Sequence, residues 1–193
     1  MNLEKTMKEY AQKNQVPVMM DAGEELLLKT IVENNCHSFL ELGTAIAKTS
    51  IAVSQLFDDM NVVTIERNPD MIAQAKINIS KSPFPERITL IEGDALDVEL
   101  GDMQFDCIFI DAAKAQYTRF FEKYAKHLTK NGIIVTDNMY FHGFVEHPEL
   151  TQNRNTRQLV GKIRKYHEYL HSLEDYETEF FHIGDGVSIT RRK

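Results

Sequence analysis

Five short apolar runs, each ending on a glycine or a carboxylate, set the rhythm of this chain. Ser38–Leu42 closes on Gly43, residues 62–65 on Glu66, residues 88–91 on Glu92-Gly93-Asp94, residues 107–110 on Asp111, and residues 133–136 on Asp137-Asn138. Continuous runs of this length read as strands buried on both faces of a sheet. Between them the apolar spacing turns helical. Residues 2–12 predict a short amphipathic helix. Asp21 is the expected N-cap of a second, with Glu24 and Glu25 in its first turn and Leu26, Leu27 and Ile31 as its apolar stripe. Residues 49–57 and 69–81 predict two more, the latter starting at Pro69. A helix over 120–128 runs to Asn131-Gly132, a C-cap signal. The rhythm then changes: a loop over 138–153, a helix over 156–172, and two strands, 176–183 and 187–190, flanking Gly184-Asp185-Gly186. That last pattern is a hairpin. Strand alternating with helix five times predicts a mostly parallel sheet with helices on both faces, completed by an antiparallel pair. Neither a linker nor a repeat divides residues 1–193, which read as one α/β domain.

Composition narrows the class. With 193 residues, 42% of them hydrophobic, the chain can bury one good core and is short for two. Cys36 and Cys107 both lie in or beside apolar runs, which suits small buried thiols in a reducing compartment. The N-terminus lacks an apolar signal core, and no stretch approaches the roughly 20 apolar residues of a membrane helix. A soluble cytoplasmic protein without a membrane partner is expected. The net charge of −7 is uneven: residues 151–193 carry eight Lys or Arg against six Asp or Glu, the remainder fourteen against twenty-three. Arg154, Arg157, Lys162, Arg164 and Lys165 fall within twelve residues that hold no acid. They form either a phosphate-facing patch or the solvated face of a helix.

Three successive strand ends carry a nucleotide-binding signature. Glu41-Leu42-Gly43-Thr44 supplies a glycine-bearing loop for close backbone approach. Glu66 can accept hydrogen bonds from both ribose hydroxyls, and Asp94 and Ala95 fall where an adenine edge would rest. A dinucleotide fingerprint needs three glycines, whereas the run after Gly43 has none. An adenosine cofactor without pyrophosphate fits better, and S-adenosylmethionine is one. The next two strand ends bring a different chemistry. Asp111, Asp137 and Asn138 are hard oxygen ligands, suited to Mg²⁺ or another hard divalent cation and poor for zinc. Taken singly, each is an ordinary turn residue; their coincidence at neighbouring strands favours a site. Lys114, three residues past Asp111, is placed to take a proton from a hydroxyl acidified by such a cation. Tyr140 and Phe141 can stack on a planar substrate or pack under a loop. The seven histidines show no zinc spacing.

Leu40-Glu41-Leu42-Gly43-Thr44, Asp111-Ala-Ala-Lys114-x-x-Tyr117 and Thr136-Asp137-Asn138 together resemble the cation-dependent class I O-methyltransferases of the catechol and caffeoyl-CoA group. The resemblance spans nearly the whole chain and implies a Rossmann-like fold with a seven-stranded sheet. It implies metal ligands Asp111, Asp137 and Asn138, catalysis by Asp111 and Lys114, and S-adenosylmethionine contacts at Met19, Glu41, Gly43, Thr49, Glu66, Ala95 and Asp111. Asp-Asn-Met-Tyr-Phe-His-Gly and the basic helix look like a bacterial subgroup that methylates 5-hydroxyuridine at the tRNA wobble position. That implies the tRNA anticodon loop as partner, with RNA phosphates on the cluster from Arg154 to Lys165. The alternative acceptor is a small catechol or phenol. A homodimer is also implied. Ala47 departs from the family, which usually has glycine there, and Lys48 stands where a tyrosine is common. A non-catalytic S-adenosylmethionine- or RNA-binding module would keep the fold but lack metal-dependent turnover.

Overall fold

A computed structural model describes residues 3–193. Asn2, where the first helix was expected to begin, lies outside the described residues. Six helices, α1 (Leu3–Asn14), α2 (Asp21–Glu33), α3 (Lys48–Val53), α4 (Pro69–Ser80), α5 (Tyr117–Tyr124) and α6 (Arg154–Ser172), surround seven strands. The strands are β1 (Ser38–Leu42), β2 (Asn61–Glu66), β3 (Ile88–Glu92), β4 (Phe105–Ile110), β5 (Leu128–Thr136), β6 (Tyr176–Phe181) and β7 (Val187–Arg192), in the spatial order β3-β2-β1-β4-β5-β7-β6. The first five run parallel, while β7 is antiparallel to both β5 and β6. The fold is thus the expected Rossmann-like α/β sheet with a C-terminal hairpin.

Alternate residues of each strand feed two cores. Phe39, Val62, Cys107, Phe109, Ile133 and Val135 face α1 to α4; Leu40, Leu42, Ile108, Ile110 and Ile134 face the aromatic side chains of α5 and α6. Strand order reverses between β1 and β4, so their C-terminal ends open the crevice where such sheets bind ligands. Among the described residues no helix is long and apolar enough to cross a membrane.

Several boundaries differ by a few residues from the sequence expectation, and four of the differences have a visible cause or consequence. Met20, not Asp21, is the N-cap of α2, and Asp21 instead pairs with Lys8 at 3.0 Å and Lys48 at 3.5 Å. The helix after β1 stops at Val53, where Arg87 takes the carbonyls of Ser54 and Phe57. The helix predicted over 120–128 is α5, over Tyr117–Tyr124, followed by one 3₁₀ turn. Finally, β5 begins at Leu128, so Asn131-Gly132 sits inside a strand rather than at a helix end.

Candidate active site

The site begins with Gly43. Its φ is +99°, and a Cβ there would lie 2.4 Å from the Asp111 carbonyl oxygen. Only glycine lets the β1 and β4 ends meet so closely. A cavity of about 550 Å³, within the range of small-molecule sites, opens along this seam. Gly43, Glu66, Asp94, Ala95, Asp111, Lys114 and Asn138 all line it. Its outer wall is the linker from α1 to α2, residues 14–18, with Arg67 and Phe120 beside it.

At the β2 end the Glu66 carboxylate is held by main-chain N–H groups of Ala45, Arg67 and Asn68, each at 2.9 Å. Asp94 accepts from the Leu96 N–H and from Arg67 Nη1, both at 2.8 Å. The Leu96 amide and the Arg67 guanidinium hold Asp94 below the usual carboxylate range. Two acids fixed this way keep lone pairs free to accept from hydroxyl and amino groups, beside a loop that has the single glycine Gly43. That donor set suits an adenosine and not a pyrophosphate.

Met19, Glu41 and Thr49, three cofactor contacts expected from the family resemblance, do not line the cavity. Met19 is buried in the core with Met7 and Leu27, and Thr49 is buried at the start of α3. Glu41 is buried, and the hydroxyls of Ser50 and Thr64 both donate to one of its oxygens. Burial dominates there and pushes its carboxyl up to about 7.

At the other end of the cavity, the ends of β4 and β5 juxtapose Asp111, Asp137 and Asn138. The Asn138 amide nitrogen lies 3.2 Å from Asp111 Oδ1 and 2.8 Å from Asp137 Oδ2. Asn138 is left-handed, φ 60°, a conformation asparagine tolerates. Tyr117 fixes the turn from below: its buried hydroxyl donates to the Asp137 carbonyl at 3.0 Å, and its ring packs 5.4 Å from that of Tyr166. Burial, then the negative charge of Asp137, raises the Asp111 carboxyl well above its ordinary value. Burial likewise lifts Asp137 to about 6, opposed first by the Asn138 main-chain N–H and then by the positive charge of Lys114.

A buried carboxylate, Asp137, beside a half-buried one, Asp111, with one lysine nearby, would carry more negative charge than their surroundings satisfy when both are ionised. A hard divalent cation would answer that excess. Exchanging the Asn138 amide ends by a half turn would give it three oxygen donors. Among the described residues no three His, Cys, Asp or Glu side chains gather to hold a metal, consistent with a trio whose third member is an amide. Lys114 lies with its Nζ 5.8 Å from the Phe141 ring centre.

The basic cluster on α6 divides in two. Arg157 Nε donates to the Thr151 carbonyl at 2.9 Å and Arg164 Nε to the Val145 carbonyl at 2.8 Å. All five side chains are exposed, and Arg157 and Arg164 are the two that reach back to main-chain carbonyls. Sequence reasoning had no signal for the 14–18 wall, because its approach to the cavity is set by the docking of α1. The Tyr117 hydroxyl could have been anticipated, since a buried tyrosine needs a partner.

Comparison with known proteins adds a family. A model described as O-methyltransferase matches residues 1–193. A crystal structure from Staphylococcus aureus, provisionally named a caffeoyl-CoA O-methyltransferase, superposes with a TM-score of 0.94 at 38% identity, covering 100% of this chain and 93% of the other. Catechol O-methyltransferase of Niastella koreensis is 35% identical over 140 residues, 69% of this chain and 61% of the relative. The SAH-bound methyltransferase PaMTH1 of Podospora anserina is similar at 25% identity and a TM-score of 0.79, covering 89% of this chain and 78% of the other.

Proposed function

The chain belongs to the S-adenosylmethionine-dependent O-methyltransferases of the caffeoyl-CoA and catechol type, and from that premise we propose that it methylates the 5-hydroxyl of 5-hydroxyuridine at the tRNA wobble position, with a hard divalent cation such as Mg²⁺ as cofactor. The observation that carries the chemistry is the meeting of Asp111, Asp137 and Asn138 at one end of the adenosine-sized cavity, with Lys114 on the same lining.

Glu66 and Asp94 orient the adenosine by accepting hydroxyl and amino hydrogens, and Gly43 permits the approach. S-adenosylmethionine, when bound, would supply the electrophilic methyl carbon, and a divalent cation held by Asp111, Asp137 and Asn138 would supply Lewis acidity to the acceptor hydroxyl. Lys114, in its deprotonated form, would receive the proton of that hydroxyl at Nζ, and the charge it gains would then balance the carboxylates. Phe141 stacks its ring beside the acceptor and keeps water from the transfer path. The protein contributes placement of acceptor and donor along one line.

The RNA reading draws on α6, which packs on the Lys114–Gln116 turn and on Phe141 and Phe144. The same helix carries exposed cations, Arg154, Lys162 and Lys165 among them, on its solvent side. An anticodon base is already single-stranded, so presenting it costs little. Replacing those three residues by alanine lowers tRNA methylation by about tenfold or more and flattens its salt dependence by roughly 0.7 per lost phosphate contact, with the rate on a small catechol unchanged. A catechol-type acceptor is the second reading, favoured by the net charge of −7 and the Niastella relative.

Mass spectrometry of tRNA nucleosides from a strain lacking this protein decides between them. Accumulated 5-hydroxyuridine, cleared by the wild-type gene but not by Asp137→Ala, supports the proposal; an unchanged 5-methoxyuridine content overturns it.

A further inference from the structure

The loop after Asn138 is held in an unfavourable shape. Phe141, His142 and Gly143 are successive left-handed residues, with φ of 44°, 57° and 77°. For the two that carry side chains this conformation is costly by about 1 kcal/mol each. It persists because the loop is clamped along its length. Near its start His167 Nε2 lies 2.9 Å from the Met139 carbonyl. In the middle, the hairpin-tip residue Asp185 accepts the Tyr140 and Phe141 N–H groups at its carbonyl, and the His142 N–H at its carboxylate. At the far end Arg164 Nε donates to the Val145 carbonyl, and the Val145 N–H returns to the Tyr140 carbonyl at 3.2 Å. Phe141 and Phe144 pack on the apolar patch formed by Val145, Val160 and Ile163.

We propose that Arg164 is a positioning residue for the acceptor side of the site, acting through the Val145 carbonyl to hold Phe141 beside Lys114. Its place in a basic cluster suggests a phosphate contact, but its Nε–H is spent on the protein's own backbone. The side chain spans from α6 to the loop's end, and without that donor the strained turn loses the anchor at its far end. Phe141 then samples positions away from Lys114, and planar acceptors bind less well while the adenosine end is untouched. The inference rests on the methyl-transfer reading only in taking Lys114 as the acceptor-side base.

The test compares three variants whose chemistry differs at one atom. Arg164→Met keeps the aliphatic stem and has no donor. Arg164→Gln is uncharged, but its amide nitrogen stands the same number of bonds from the backbone as arginine Nε. Arg164→Lys keeps the charge and carries its nitrogen one atom farther out. Hydrogen exchange of the amides over 140–145, measured on the protein without cofactor or metal, reads loop order independently of turnover. Arg164→Met is expected to speed that exchange by about tenfold and to raise the KM for a small catechol, with the KM for S-adenosylmethionine unchanged. Arg164→Gln is expected to restore both, and Arg164→Lys only in part. Unchanged exchange in Arg164→Met overturns the proposal. So does rescue by lysine but not glutamine with a loss confined to tRNA, which would mark a phosphate contact. Should turnover prove absent with every acceptor, the functional reading fails, and the exchange pattern still decides the role of Arg164 in ordering the loop.

Discussion

Glu41 is a carboxyl that folding keeps protonated near neutrality. Burial raises it to about 7 from an ordinary 4.5, partly offset by the Ser50 and Thr64 hydroxyls. Because the folded value is the higher one, the native state holds an extra proton between those two pH values. Its contribution to stability therefore falls as pH rises through that window. Relative to Glu41→Gln, which is neutral throughout, the wild type should lose on the order of 3 kcal/mol between roughly pH 5 and pH 8. Urea unfolding of both proteins across that range checks this, and a pH-independent difference would contradict it. Tyr117 acts at the same scale. Tyr117→Phe leaves the Asp137 carbonyl without its buried donor and should cost about 1–2 kcal/mol in a denaturant titration. It should also lower kcat more than it raises the KM for S-adenosylmethionine, since the turn it holds carries the acceptor-side carboxylate. Equal stability of the two proteins would show that the hydroxyl is not a support.

Among the elements, the runs that end on Gly43, Glu66, Asp94, Asp111 and Asp137 were legible because a doubly buried strand needs an unbroken apolar stretch, and each strand ends where polarity returns. The start of β5 was not legible. Asn131-Gly132 carries the local signature of a helix end, yet long-range bonds to one carboxylate override it. Asp106 accepts from the His37 and Ser38 N–H groups, the Ser38 hydroxyl and the Thr129 hydroxyl. These tie β1, β4 and β5 together where the β4–β5 register slips. Gly132 is required there by packing, for a Cβ would lie 2.9 Å from the Asp106 carbonyl oxygen. The hairpin at the other end was read correctly, but not its duty. Gly186 has φ +89°, and a Cβ on it would lie 2.2 Å from Tyr140 Cδ2 and 2.8 Å from the Tyr140 nitrogen. Gly186→Ala should therefore cost about 2 kcal/mol or more in stability and loosen the loop that carries Phe141. Thermal unfolding with amide exchange over 139–142 measures both effects, and wild-type values for each would contradict this reading of the tip.

At the scale of the whole molecule, the sheet order turns scattered sequence signals into one cavity. β1 and β4 are neighbours although more than sixty residues separate them, and so Gly43 meets Asp111. Spacing along the chain placed the acids at strand ends, and adjacency in the sheet joins them. What spacing could not supply is depth: Glu41 belongs to the same strand end as Gly43 but is buried and absent from the cavity lining, as are Met19 and Thr49, which the family resemblance implies as contacts. The α1–α2 linker enters the cavity wall only because α1 is seated by Met7 and Ala11. Charge is divided in the same way, between an acidic body and the basic, exposed side of α6.

The corner of Asp111, Asp137 and Asn138 is the centre of this account, and its need for a cation is directly measurable. Initial rates of methyl transfer from S-adenosylmethionine to a catechol, and to tRNA from the deletion strain, are to be compared in chelator and across added Mg²⁺ for the wild type and Asp137→Ala. The account predicts that chelation abolishes wild-type turnover on whichever acceptor is used, that Mg²⁺ restores it, and that Asp137→Ala falls by about a hundredfold or more at any Mg²⁺ concentration. Wild-type turnover that persists unchanged in chelator, with Asp137→Ala equally active, would contradict it.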